Sequence, residues 1–291
     1  LYNLLGTLTI YLCLKLISRG FNFHWLINSI IASLLLWWTK PQGKLMLLIL
    51  SLGLFFQVQK NKRFPKSQVL IIILIFISAL GYMFLNLLTG KQFLPEISAW
   101  ETVSHKQLSL MDHLKWTLVH TYREIMPWYW GVFRWLSLTY PRIINRMINW
   151  TTFFGLLGIL IYLVKQKFHI MKLRLALFLI SANLLYFFGL FAFDFLFTRS
   201  YGFSFGVQGR YYFPLILAQL GILIAGIASL TYSYWPLIIT GLGMICLHFY
   251  AQWFLIKSYI SDNSLNSFFL QASYYKPDFI KAPFLEIITI L

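Results

Sequence analysis

The sequence predicts an all-α, polytopic transmembrane helix bundle, and three observations carry that prediction. Of the 291 residues, 59% are hydrophobic, 19% aromatic and only 11% charged, against roughly 25% charged in ordinary soluble domains. Mean hydropathy is +0.71, more apolar surface than a water-soluble fold of this length can hide. Runs such as Ser67 to Leu88 reach the ~20 apolar residues that cross a bilayer core. Helices satisfy their own backbone in lipid, and the run VLIIILIFISAL lacks the alternation of a membrane β-strand.

Taken in order, the apolar runs predict eight spans at roughly 1–17, 24–39, 44–59, 67–88, 149–165, 174–196, 212–231 and 234–256, in a single integral membrane domain. Three short cationic connections orient them: Lys15 with Arg19; Lys60, Lys62, Arg63 and Lys66; Lys165, Lys167, Lys172 and Arg174. Excess Lys and Arg marks cytoplasmic loops, which puts both termini outside. The TKPQGK turn, with Lys40 and Lys44, then also faces outward, against the rule. A re-entrant hairpin over 44–59 is the alternative. The chain opens on Leu1 directly in an apolar run, with no charged leader, which points to a fragment lacking its N-terminal part.

The formal charge of +16 would suggest nucleic acid on a soluble protein. In this setting it reads as topology signals together with anionic lipid or phosphate, and nucleic acid is not expected as a partner. Cys13 and Cys246 lie in apolar runs without CxxC spacing and read as packing residues.

The polar stretch from about 90 to 148 is too long for a plain connection and is expected on the outer face. It holds four of the eight acidic residues: Glu96, Glu101, Asp112 and Glu124. From Lys106 to Ile125, Leu108, Met111, Leu114, Leu118, Tyr122 and Ile125 recur at helical spacing. That stripe predicts an interfacial helix on the bilayer, with His113, His120 and Glu124 as exposed polar residues on its other side. Those three share a face and form the candidate set for a divalent metal; no other cofactor is expected. The aromatic run PWYWGVFRWLSLTYP follows, suited to headgroup depth.

GVQGRYYFP, Gly206 to Pro214, is the sharpest local sequence. Its glycines permit tight backbone, Gln208 offers an amide, and Arg210 presents a planar fork suited to phosphate or carboxylate. An arginine that snorkels at a helix start, with Tyr211 as an interface anchor, is the plainer reading. Among carboxylates, Glu96 and Glu101 flank Trp100 in a loop that can approach a sugar as general base. Solvated loop carboxylates are the commoner case. Asp194 lies near the end of its span, where an ionisable group suggests function, or a structural pair with Arg199 or Arg210. No Gly-rich phosphate loop, GxSxG elbow or HExxH pair is present.

GVQGRYYFP resembles the signature, approximately VQGRYFLP, of the bacterial membrane family catalogued as domain of unknown function 2142. WYWGVFRWLSLTYP resembles a second element of that family, approximately SFWGxFGWLxxxxP, with Arg134 in place of Gly and Tyr129 in place of Phe. LLWWTKPQG is similar to a turn found across polytopic glycosyltransferases of the GT-C type. The three elements stand in the family's order and cover the chain from about Thr39 to Pro214. This resemblance implies a protein of the bacterial cytoplasmic membrane that moves sugar from a polyprenyl-phosphate donor at the outer face, in cell-envelope glycan assembly. It implies Lys40, Gln208, Arg210 and Tyr211 near the donor's anionic head, and membrane lipid with polyprenyl-phosphate-linked sugar as partners. It also implies a catalytic carboxylate in a first outer loop near the N-terminus, and no such loop precedes the span 1–17. A transporter or flippase of a lipid-linked glycan, and a non-catalytic scaffold, are the rival readings.

Overall fold

The computed structural model describes residues 1–58, 81, 108–133, 138–165, 170–202, 207–230 and 234–259. Their order is α1 (Tyr2–Arg19), α2 (Phe23–Thr39), a 3-10 turn (Pro41–Gly43), α3 (Lys44–Val58), α4 (Leu110–Trp130), β1 (Val132–Phe133), β2 (Leu138–Thr139), α5 (Arg142–Lys165), α6 (Ile170–Tyr201), a 3-10 segment (Gly209–Leu215), α7 (Ile216–Leu230) and α8 (Trp235–Tyr259). Among the described residues the fold is all-α apart from the two-residue antiparallel ladder of β1 and β2.

Among the described residues, four helical stretches are long and apolar enough to cross a membrane: Arg142–Lys165, Met171–Tyr201, Gly209–Leu230 and Trp235–Lys257. They make the chain an integral membrane protein and coincide with the last four expected spans. The earlier ones differ. Apolar α2 and α3 hold 17 and 15 residues, about 22–26 Å of helix at 1.5 Å per residue, where the hydrocarbon core is ~30 Å. Helix α1 reaches 18 residues only by including Lys15 and Arg19. The expected span 67–88, residue 81 apart, and the candidates Glu96 and Glu101 lie outside the described residues.

The chain divides into two compact units, one of residues 1–130 and 142–233, the other of 131–141 and 234–291. In the first, α1, α2 and α3 pack on one another and α3 packs on α6. Cys13 fits beside Gly53, where a β-carbon would press on its sulfur, and Phe56 meets Phe178 edge-on at 6.0 Å. The tightest pairing is α5 on α7. A β-carbon at Gly158 would collide with the Gly226 carbonyl, and one at Gly226 with the Gly155 carbonyl. Small residues at such crossings let backbones touch, the means of helix association in lipid, where apolar burial drives nothing. Lys165 closes the pair, its Nζ donating to the Ser229 carbonyl at 2.7 Å. In the second unit Tyr140 packs over Gly131 and its ring lies 6.2 Å from Tyr250 on α8. Burial pushes the Tyr140 phenol up, and Tyr250 adds to the shift. Cys13 is buried and Cys246 is exposed on α8.

Candidate functional site

Local sequence places Lys40. A residue before proline is barred from the α region, and Pro41 accordingly holds Lys40 extended at φ −152°, ψ 142°, ending α2. The following turn folds back so closely that a β-carbon at Gly43 would strike the Leu36 carbonyl, and Gly43 N donates to the Lys40 carbonyl at 2.8 Å. Lys40 thereby leaves the helix axis. Its ammonium sits 5.3 Å from the ring centre of Tyr2 and 5.3 Å from that of Tyr211.

Gly6 sets the second wall. Pro214 lies so near it that no β-carbon fits there, which seats the 3-10 segment on the first turns of α1. Tyr186, buried on α6, donates its hydroxyl hydrogen to the Tyr211 carbonyl at 3.1 Å. A phenol has one hydrogen to give, so in the 3.1 Å contact between Tyr2 and Tyr186 hydroxyls Tyr2 is the donor. This chain of bonds holds the Tyr211 main chain. Arg210 is exposed, with its guanidinium carbon 5.9 Å from the centre of that same ring. Lys40 and Arg210, 170 residues apart, thus converge on Tyr211. Two carboxamide oxygens, Gln42 Oε1 and Gln208 Oε1, are buried without a hydrogen-bond donor among the described residues. Each is an acceptor short of a partner, a state that costs about 1–3 kcal/mol.

The other motif reaches the same 3-10 segment. Tyr129, at the end of α4, donates its hydroxyl to Gln219 Oε1 and its ring stands edge-on to Phe213 at 5.5 Å. Lys40 and Tyr129, one residue from each of the other two elements, therefore both reach the segment Gly209–Leu215, at Tyr211 and Phe213. Burial pushes the Tyr129 phenol upward.

The remaining candidates lie elsewhere. Asp194 is buried on α6, close enough for its charge to act on the Tyr212 hydroxyl. Neither expected arginine pairs with it: Arg199 donates to the Leu108 carbonyl at 2.7 Å, and Arg210 lies over Tyr211. His113 is not an exposed interfacial residue. It is fully buried, its Nε2 3.1 Å from the Phe195 carbonyl, while Leu110, Met111, Leu114 and Leu118 are exposed. The leucine and methionine stripe of α4 faces outward, and its packed face mixes polar His113, Thr117 and Thr121 with apolar Trp116 and Val119. The Trp116 indole lies between the two imidazoles, 6.4 Å from His113 and 4.7 Å from His120. Among the described residues no three His, Cys, Asp or Glu side chains gather as metal ligands; the Glu124 side chain lies outside them.

Sequence reasoning missed Tyr2, Tyr186 and Gln42. Gln42 carried a signal, a polar residue in the same turn as Lys40; the tyrosines carried none, lying far from the motif in sequence. No family model matches the chain, and neither a curated protein nor a solved structure matches it.

Proposed function

We propose that this integral membrane protein binds the phosphate of a polyprenyl-phosphate-linked sugar between Lys40 and Arg210, as a relative of the bacterial family that its motifs resemble, and serves sugar transfer at the outer face of the cytoplasmic membrane. One observation carries the reading: two cations from distant segments converge on one tyrosine ring, with no carboxylate of the described residues paired to either. A guanidinium and an ammonium on one ring form a divalent counter-charge for a phosphate that departs from a sugar. Gln42 and Gln208, each lacking a donor, supply acceptors for sugar hydroxyls. The general base belongs to a carboxylate, for which Glu96, Glu101 and Asp194 are the residues to test.

The test is binding of a polyprenyl phosphate to purified protein in nanodiscs, with Arg210→Lys, Arg210→Ala and Lys40→Ala. A bidentate contact does not survive replacement by lysine, so Arg210→Lys is expected to weaken binding about tenfold and Arg210→Ala at least as much, since charge-assisted hydrogen bonds contribute ~1.5–3 kcal/mol. Unchanged binding in all three variants would sink the proposal. A flippase is the second reading, favoured by the buried polar stripe of His113, Thr117 and Thr121 on α4 near Asp194 and Thr198 on α6. Transbilayer movement of the lipid-linked sugar by proteoliposomes without transfer would select it.

A further inference from the structure

At the other end of the α1–α2 hairpin from Lys40, the chain turns through Gly20 at φ 99° and restarts under a cap in which Asn22 Oδ1 accepts from Trp25 N at 3.2 Å. The Lys15 ammonium lies 4.7 Å from the ring centre of Tyr11 and 5.5 Å from that of Trp25, held between rings of two helices. Arg19 follows one helical turn later on the same face of α1 and is exposed. The hairpin offers these cations no counter-ion. Residues 1–58 contain no Asp or Glu, and the first carboxylate of the chain is Glu96. Neither Lys15 nor Arg19 forms an ion pair with a described residue. On either side of the cap, Phe21 and Phe23 are 61% and 62% exposed.

Two cations without a counter-ion among the described residues call for an external anion, and the side chains around them say where it resides. Tyrosine and tryptophan collect at headgroup depth, and exposed phenylalanines beside them belong in the acyl boundary rather than in water. We infer that the α1–α2 turn is a headgroup site for an anionic phospholipid, its phosphodiester received between Lys15 and Arg19 while Phe21 and Phe23 enter the glycerol and acyl layer. The two rings hold the ammonium in place before the lipid arrives, which lowers the cost of ordering it on binding. No residue of this site belongs to the Lys40–Arg210 cluster, so either can fail without the other.

Native mass spectrometry of the protein released from nanodiscs of phosphatidylcholine doped with phosphatidylglycerol tests the site. Wild type is expected to retain phosphatidylglycerol over phosphatidylcholine. Arg19→Gln and Lys15→Gln are each expected to lower that preference about fivefold, the effect of one basic residue near an anionic surface. Arg19 is exposed, so its variant keeps the test decisive should Lys15→Gln fail to fold. No preference in wild type, or an undiminished preference in Arg19→Gln, would overturn the inference. So would displacement of the lipid by inorganic phosphate at equal concentration, which would mark a site for a free anion.

Discussion

Helices α5 and α7 meet where Gly155, Gly158 and Gly226 let backbone touch backbone, whereas α4 meets its neighbours through side chains that donate and accept: His113 to the Phe195 carbonyl, Arg199 to the Leu108 carbonyl and Tyr129 to Gln219. Both are close-packed, by opposite means. The first depends on the absence of atoms, so it is broken by adding them. The second depends on polar groups withdrawn from solvent or lipid, and is broken by removing one partner, because the other is then left unsatisfied. Shape alone suffices for two membrane helices that need only associate. A segment that must hold a site at a fixed place needs directional bonds, and those of α4 end on α6 and α7, while the Tyr129 ring reaches Phe213 of the 3-10 segment.

The largest effect is therefore expected from Gly158→Leu. Its β-carbon would strike the Gly226 backbone, and overpacking against backbone, which cannot swing aside, lies at or above the upper end of the usual 1–3 kcal/mol. Thermal unfolding in detergent should show the midpoint falling sharply, with the protein aggregating on size exclusion; a midpoint within a degree of wild type would contradict the backbone contact. His113→Leu is expected to cost less, about 2 kcal/mol, from the lost carbonyl bond and the imperfect fill of a site shaped to imidazole. If His113 were instead an exposed residue of an interfacial helix, the same substitution would change stability by under about 0.5 kcal/mol.

This contrast also marks what could be read in advance. The last four spans were legible because continuous apolar length is the physical requirement for crossing lipid, and α5 to α8 meet it. The orientation of α4 was not legible from its stripe. Amphipathic spacing shows that one side is apolar without saying whether that side meets the core or the lipid, and Leu114 and Leu118 face out while His113 and Thr117 face in. Within the site, the end of α2 at Lys40 follows from Pro41 alone, and the usefulness of Arg210 follows from its guanidinium. The convergence of the two on Tyr211 does not follow, because it depends on tertiary contacts between Gly6 and Pro214 and between Tyr186 and Tyr211 that no local pattern encodes. The ladder at Val132 and Leu138 escaped for a simpler reason: two residues per strand are too few to show alternation.

Tyr129→Phe probes the same contrast at its most delicate point, since it removes one oxygen and leaves the ring against Phe213 in place. Gln219 Oε1 loses its donor while Gln219 Nε2 keeps its 3.4 Å contact with the Tyr212 carbonyl, so the expected cost is about 1 kcal/mol. A pH series separates this bond from mere packing. Burial raises the folded-state value of the Tyr129 phenol above the ordinary 10.0, so the folded protein keeps that proton where the unfolded chain has begun to lose it. Its contribution is full below pH 10 and declines as pH rises from there toward the raised folded value. Wild type should then lose stability above about pH 10 more steeply than Tyr129→Phe, and the gap between them, clear at pH 7, should narrow. Parallel pH curves would mean that the Tyr129 hydroxyl is solvated, and that α4 is held to the 3-10 segment by shape, in the same manner as α5 and α7.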